Sequence, residues 1–141
     1  MTIKAFIAYS FTDKNDFINF NKKLRKFLKE NFDIKSYSFV FDFKKKANNK
    51  NLMRSALKKI DESDLLIVEL SNKAIGIGLE AGYAKAKGKK IIYLHKIRSE
   101  ISTTIDGISD IKIEYINIAH LFVQLIKKKN MILKLLEERP L

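Results

Sequence analysis

The chain has 141 residues, 46% of them hydrophobic, which excludes two separately cored domains and general disorder. The absence of cysteine excludes a disulfide scaffold, a thiolate zinc site and a cysteine nucleophile. The formal charge of +12 first indicates an anionic partner, but 24 of the 28 basic residues are lysines. Nucleic-acid readers rely on arginine, so the lysine excess disfavours nucleic acid and is typical of a solvated surface.

The first half of the chain alternates strand and helix patterns. A short apolar run predicts a buried strand over Ile3–Tyr9, and Thr12 and Asp13 offer an N-cap for the helix that follows. Alternating aromatic residues predict a second strand over Tyr37–Phe43. The apolar residues of the two predicted helices recur at helical spacing and are Phe17, Phe20, Leu24, Phe27 and Leu28, then Leu52, Met53, Ala56, Leu57 and Ile60.

The second half continues the alternation. Asp64–Leu70 is an almost continuous apolar run, which is typical of a strand buried on both faces. A helix is predicted over residues 76–88, with Gly88 as its C-cap. Two more strands follow over Lys90–His95 and Ile111–Ile116, and a last helix runs from Ile118 to about Leu136.

This order predicts a single α/β domain over residues 1–141. Right-handed crossovers between five parallel strands favour a flavodoxin-like three-layer sandwich with strand order 2-1-3-4-5. In such a sheet, ligands bind at the carboxyl ends of the first and third strands. The loops Tyr9–Asp13, Ser71–Glu80 and His95–Gly107 are therefore expected to form the site.

The predicted third helix begins with a cluster of glycines and a glutamate. Gly76, Gly78 and Gly82 allow a ligand to approach a helix N-terminus, or they serve a tight turn and close helix packing. Glu80 is expected in the first turn of this helix, where the helix N-terminus stabilises its ionised form. The carboxylate can attack an anomeric carbon, or it can simply cap the helix dipole. Both pairs of readings stay open at this point.

The two histidines, His95 and His120, have neither cysteine partners nor ligand spacing, so we expect no metal site and no cofactor. His95 ends the fourth strand and is a weaker acid–base candidate. No apolar run is long enough to cross a bilayer and the first residues do not form a signal peptide. We therefore expect a cytoplasmic protein without a membrane partner.

The stretch SDLLIVELSNKAIGIGLEAGYAKAKGKKIIYL, residues 63–94, resembles the central signature of the nucleoside 2-deoxyribosyltransferase superfamily, and in particular of 2′-deoxynucleoside 5′-phosphate N-hydrolases. The resemblance implies an enzyme that cleaves the N-glycosidic bond of a nucleoside or nucleotide. It also implies a homodimer that binds a small molecule. Glu80 takes the position of the nucleophile, which forms a glycosyl-enzyme that water or a second base resolves.

The same resemblance implies the substrate contacts. Gly78 and Tyr83 match the pattern around the nucleophile, and Gly76 belongs to the same helix start. Ser102, which precedes Ile105 and Gly107, takes the place of a serine that contacts the 5′-phosphate, often from the other subunit. The last contacts, Tyr9 and Ser10, lie in the first loop.

This sequence departs from the family pattern at three positions, which leaves a catalytically weak nucleotide-binding module as an alternative. Ala56 stands where the family has an aspartate, Thr12 where an arginine is common, and Ala74 where a serine is expected. The carboxylates that could replace the missing aspartate are Asp61, Glu62 and Glu69.

The first segment, FIAYSFTDKNDFINFNKKLRKFL, is similar to the opening of TIR domains. TIR domains share the flavodoxin-like strand order, and some of them use a glutamate in the helix after the third strand to cleave NAD. This resemblance implies an alternative function, which is the cleavage or sensing of NAD-type nucleotides. Glu80 is the implied carboxylate in this case too.

Overall fold

A computed structural model describes residues 2–10 and 14–138 of the chain. Five strands form one all-parallel sheet in the order β2-β1-β3-β4-β5, which confirms the predicted flavodoxin-like α/β fold. The strands span Ile3–Tyr9 (β1), Ile34–Tyr37 (β2), Leu65–Glu69 (β3), Lys90–Lys96 (β4) and Ile111–Tyr115 (β5).

Helices cover both faces of this sheet. Their bounds are Ile18–Phe32 (α1), Phe39–Asp42 (α2), Asn49–Asp61 (α3), Ile75–Ala86 (α4), Thr103–Ile108 (α5), Ile118–Lys127 (α6) and Lys129–Glu137 (α7). Apolar residues of α1, α6 and α7 pack on one face, and those of α3, α4 and α5 pack on the other. No helix in the described part of the chain is long and apolar enough to span a membrane.

Alternation along the central strands divides the core into two layers. On β1, Ile7 and Tyr9 face the α1 side, whereas Phe6 and Ala8 face the α4 side. All five residues of β3 are buried, as its continuous apolar run predicted. All strands are parallel, so their carboxyl ends meet at one edge, where the described parts of the three expected loops lie.

The prediction of a strand over Tyr37–Phe43 is wrong. The strand is Ile34–Tyr37, and the chain then turns into the short helix α2. Asp42 closes this turn by accepting a hydrogen bond from the backbone N–H of Ser38 at 2.9 Å, and Arg25 pairs with Asp42 at 2.9 Å. The aromatic alternation arises because Phe39 packs on one face of the sheet and Phe41 on the other.

Other boundaries differ in smaller ways. Thr103–Ile108 forms a short helix inside the predicted loop, because the Ser102 hydroxyl accepts from the backbone N–H of Ile105 and caps it. The predicted last helix is interrupted at Lys128, which separates α6 from α7. The predicted N-cap at Thr12 and Asp13 lies outside the described residues, and a short 3-10 turn over Lys14–Phe17 precedes α1.

Candidate functional site

Helix α4 starts at the carboxyl edge of the sheet and carries Glu80. Three small or apolar residues on one side of α4, Ile77, Ala81 and Ala84, are buried against the sheet. Glu80 lies between them in the helical sequence, on the flank of the buried stripe, and is itself half-buried. The expected position of Glu80 in the first turn is wrong. Because α4 begins at Ile75, Glu80 belongs to the second turn, about 8 Å along the axis from the helix start.

The alternative reading of Glu80 as a helix cap has no support in this geometry. The first turn of α4 contains no acidic residue, and the helix has no side-chain cap. Orphan backbone N–H groups are confined to the first turn, so a carboxylate in the second turn does not satisfy them. The position of Glu80 therefore needs another explanation.

Burial raises the pKa of Glu80 from its ordinary range to about 7. None of the described residues offers this carboxyl group a hydrogen bond or an ion pair that would lower the pKa again. Structural carboxylates removed from water normally acquire such partners. A desolvated and unpaired acid at a ligand-binding edge is instead typical of a reactive group.

The glycines of α4 are not required by packing. A Cβ atom added to Gly76, Gly78 or Gly82 would meet no atom within 4 Å. Glycine inside a helix costs about 0.5–1 kcal/mol relative to alanine. The structure thus gives no support to close packing as their reason, whereas an open, side-chain-free surface at the helix start is suited to a ligand.

An open cavity of about 480 Å³ lies between the start of α4 and the start of α5. Gly78 and Ser102 both line it, so the structure brings these two predicted contacts together. Ser102 is held in place because its backbone N–H donates to the Tyr93 hydroxyl at 3.1 Å. The other lining residues include Asn72, Lys73, Glu100 and Thr103, whereas Glu80 is not among them.

The first-loop candidates are engaged within the protein. The Ser10 hydroxyl donates to Glu69 Oε1 at 3.1 Å and accepts from the backbone N–H groups of Ser71 and Asn72 at 3.0 and 3.1 Å. One donated and two accepted bonds fill the capacity of a hydroxyl group. A substrate contact through this hydroxyl would therefore have to replace one of them.

Tyr9 and Tyr83 also lie apart from Glu80. Tyr9 is buried on the α1 face of the sheet, where its hydroxyl donates to Asn21 at 2.7 Å, and burial raises its pKa. Tyr83 follows Glu80 on the same flank of α4, but its hydroxyl donates to Asp61 at the end of α3, at 2.8 Å. Asp61, one of the possible replacement carboxylates, is thus engaged at the far end of the helix pair.

Glu69 carries a buried carboxyl group, although the sequence indicated this residue only as a possible replacement for the family aspartate. It ends the central strand β3, is fully buried, and accepts hydrogen bonds from Ser10, Ser71 and Tyr115. The signal in the sequence was a single acid at the tip of an apolar strand. His95 is also buried at this edge, and its Nε2 atom has no hydrogen-bond partner among the described residues.

A metal site has no basis in residues 2–10 and 14–138. No group of three or more histidine, aspartate or glutamate side chains in these ranges is arranged to hold an ion. The chemistry available at this edge is that of a carboxylic acid, hydroxyl groups, one lysine and free helix N–H groups.

Comparison with solved structures gives the fold a context. No family model and no curated protein matches the sequence. The CMP N-glycosidase BcmB of Clostridium botulinum superposes with a TM-score of 0.69 at 23% identity, covering 88% of this chain and 98% of that one. A 2-deoxyribosyltransferase from Bacillus psychrosaccharolyticus superposes with a TM-score of 0.63 at 12% identity, covering 84% and 90%.

A conserved protein from Enterococcus faecalis V583 is similar to the same extent, with a TM-score of 0.70 at 14% identity over 91% of this chain and 99% of that chain. These likenesses show that the chain shares the fold of nucleoside 2-deoxyribosyltransferases, the superfamily that its central segment resembles. The TIR-like resemblance rests on the first segment alone and stays a prediction.

We predict that Glu80→Gln stabilises the protein at alkaline pH. The folded state holds the proton of Glu80 more tightly than the unfolded chain does, since the pKa rises from 4.5 to about 7. The contribution of the neutral acid is therefore fully present below pH 4.5 and is lost as the pH rises through 7. Glutamine is neutral throughout, so at pH 8 the variant should unfold with a free energy about 1–3 kcal/mol higher than wild type.

Urea denaturation at pH 4.5 and pH 8 measures this difference. The exposed Glu114→Gln serves as the control and should show no such dependence on pH. Equal stability of Glu80→Gln and wild type at pH 8 would show that burying the ionised Glu80 carboxylate does not destabilise the folded state.

Proposed function

We propose that the protein cleaves the N-glycosidic bond of a nucleoside or nucleotide, of the 2′-deoxynucleoside 5′-monophosphate class, with Glu80 as the nucleophile. The observation that carries the proposal is the unpaired, half-buried carboxyl group of Glu80 on a glycine-rich helix at the carboxyl edge. The shared fold with a CMP N-glycosidase and a 2-deoxyribosyltransferase supports the reaction class.

The reaction has two balanced steps. In the first, a carboxylate oxygen of Glu80 forms a bond to C1′ while the C1′–N bond breaks, and its electron pair leaves with the base, which takes up a proton. In the second, water attacks C1′, releases the Glu80 carboxylate and gives up its proton to solvent. Attack by a second base in place of water would make the reaction a transfer.

The environment of Glu80 suits a nucleophile in one respect. A carboxylate with a pKa near 7 is more basic than an ordinary one, and no hydrogen bond among the described residues holds its oxygens. The cost is that about half of the molecules carry the inactive acid at neutral pH.

The proposed substrate contacts lie beside this helix start. Gly76 and Gly78 have no side chains that could block the start of α4, and Gly78 lines the cavity that Ser102 also lines. Lys73 supplies a positive charge in the same cavity, although Glu100 pairs with it at 3.5 Å. An anionic group of a nucleotide would compete with Glu100 for this lysine.

We predict that Glu80→Gln abolishes base release. The amide cannot attack C1′, so the rate should fall at least about a thousand-fold while the fold is retained. Free base is measured by chromatography after incubation with CMP, a panel of deoxynucleoside monophosphates, and NAD. The exposed Glu114→Gln is the matched control and should keep wild-type turnover.

Each outcome of this panel selects one function. Retained turnover in Glu80→Gln would contradict the mechanism. Nicotinamide release from NAD without base release from the monophosphates would favour the TIR-like alternative. Thermal stabilisation by a nucleotide without any product would favour a catalytically weak binding module.

The pH dependence of the wild-type enzyme gives a second test. Only ionised Glu80 can attack, so kcat/KM should rise with pH and level off above an apparent pKa of about 7. Initial rates of base release between pH 5 and pH 9 measure this profile. A rate that is already maximal at pH 5 would contradict the assignment of Glu80 as the nucleophile.

We also propose that the chain forms the homodimer that the family resemblance implies, and that its two copies associate over the outer face of α4. Ile75 is 95% exposed, Leu79 is 55% exposed one turn later, and Ile101 is 41% exposed on the other rim of the cavity. Apolar side chains grouped beside an open cavity are suited to a protein partner. A second copy there would also cover the cavity.

We expect wild type to sediment as a dimer and Ile75→Lys as a monomer. Ile75 is almost fully exposed, so the lysine should leave the fold intact. Val123→Lys places the same change at a 50% exposed residue of α6, on the opposite face, and should remain dimeric. A monomeric wild type, or a dimeric Ile75→Lys, would contradict this interface.

A further inference from the structure

Glu69 is an acid completely removed from water. It ends the central strand β3 and has an exposed fraction of 0%, and it is the only aspartate or glutamate buried among the described residues. Its strand neighbours Tyr9 and Leu94 are buried as well. Placing a carboxyl group in such surroundings is costly unless its oxygens are well hydrogen-bonded.

Four donors meet this carboxyl group. Oε1 accepts from the Ser10 hydroxyl at 3.1 Å and from the backbone N–H of Ser71 at 3.2 Å. Oε2 accepts from the Ser71 hydroxyl at 2.6 Å and from the Tyr115 hydroxyl. Burial, with Glu69 adding to it, raises the pKa of Tyr115, which keeps the phenol available as a donor.

The bonds continue from Glu69 into the loop between β3 and α4. The Ser10 hydroxyl accepts from the backbone N–H groups of Ser71 and Asn72 at 3.0 and 3.1 Å, and the Asn72 amide donates to the Ser10 carbonyl at 3.3 Å. The Ser71 hydroxyl accepts from the backbone N–H of Lys96 at 3.0 Å. The ends of β1, β3, β4 and β5 are therefore tied to this one loop.

The loop that these bonds hold belongs to the candidate site. Asn72 and Lys73 line the cavity shared by Gly78 and Ser102, and α4 begins two residues later. The main-chain direction at Ser71 and Asn72 thus determines where the cavity wall and the first turn of α4 lie. Few apolar contacts are available to do this instead, since Asn72 and Lys73 are exposed.

We propose that Glu69 is a positioning residue, which fixes the backbone of Ser71 and Asn72 and thereby the substrate-binding wall that follows them. The proposal rests on the proposed function for the identity of the site. Glu69 lies on the α1 face of the sheet, opposite the face that α4 covers, so it acts through the loop. It therefore affects the binding of substrate more than the chemistry at Glu80.

The donors around Glu69 determine which side chains could replace it. The backbone N–H of Ser71 can only donate, so Oε1 must be an acceptor. The partners of Oε2 are hydroxyl groups, which can turn and accept. Glutamine can therefore place its carbonyl at Oε1 and its amide nitrogen at Oε2. Methionine removes the acceptor from all three hydroxyl donors and leaves the Ser71 N–H with Ser10 Oγ alone.

The test compares Glu69→Met with Glu69→Gln. Steady-state base release from a deoxynucleoside monophosphate is measured well below the unfolding temperature of each variant. For Glu69→Met we expect KM to rise about tenfold or more with a much smaller change in kcat. The Ser71 amide then keeps only Ser10 Oγ, and the Ser10 hydroxyl has lost the acceptor that orients it. Glu69→Gln should restore KM to within about threefold of wild type.

Hydrogen exchange gives a readout that does not depend on activity. The amides of Ser71 and Asn72 should exchange about tenfold faster in Glu69→Met, while the amides of Leu66–Val68 keep their protection. Asp110→Asn is the control, since Asp110 accepts from the backbone N–H of Ile91 at 2.8 Å at the opposite edge of the sheet. It should lose stability without changing KM or loop exchange.

The outcomes separate the two proposals. Wild-type KM together with wild-type exchange at Ser71 and Asn72 in Glu69→Met would overturn the positioning role. Absence of product from wild type itself would overturn the proposed function, and hydrogen exchange alone would then decide the role of Glu69. If Glu69→Met does not fold, Ser71→Ala removes one donor to Oε2 and the acceptor of the Lys96 N–H, and it should raise KM about threefold, which an unchanged KM would refute.

Discussion

Two carboxyl groups on either side of one loop have opposite environments, and the candidate site depends on this contrast. Glu69 ends the central strand fully buried, with four donors on its oxygens. Glu80 lies in the following helix, half-buried, with no partner among the described residues and a pKa raised to about 7 by burial. The same functional group is held by hydrogen bonds in one place and left unpaired in the other, and surroundings of this kind set the properties of an acid.

The contrast also means that helix α4 carries features that lower the stability of the fold. An unpaired Glu80 and glycines inside α4 both lower stability, and no packing contact requires either of them. Proteins retain such local conflicts mainly where function needs them. The hydrogen bonds of Glu69 and Ser10 hold the loop that leads into α4. The start of this helix is therefore attached to a firmly bonded edge of the sheet.

The strand order and the Glu80 helix were predictable from the sequence, whereas the contacts around them were not. An almost continuous apolar run such as Leu65–Glu69 is typical of a buried strand of a parallel sheet, and topology rules then favour one strand order. The aromatic residues after Ser38 misled the strand prediction, since their period of two reflects packing on two faces of the sheet by a short helix. Short elements of this kind depend on tertiary contacts such as Arg25 with Asp42.

The roles of individual polar residues were the least predictable part. Ser10 and Glu69 are 59 residues apart in the chain, and only the pairing of β1 with β3 brings them together. A sequence pattern shows that a hydroxyl follows a strand, but it does not show whether neighbouring backbone groups already use that hydroxyl. Glu80 was singled out by the family resemblance, since its helix position and residue type alone left a capping role open. Tyr83 matches the same pattern and yet bonds to Asp61.

The positive charge of the chain acts on this site from a distance. Arg25 is bound to Asp42 and to the carbonyl of Ser36, so it is part of the fold, and Lys73 at the cavity is paired with Glu100. The remaining excess is mostly lysine, with exposed examples on α1, α3 and α7. Dispersed lysines do not form a dedicated phosphate site, but their summed field attracts a small anion toward the protein and weakens as salt is added. Selection of the substrate must then come from short-range contacts at the cavity wall, which is the surface that the Ser71–Asn72 backbone determines.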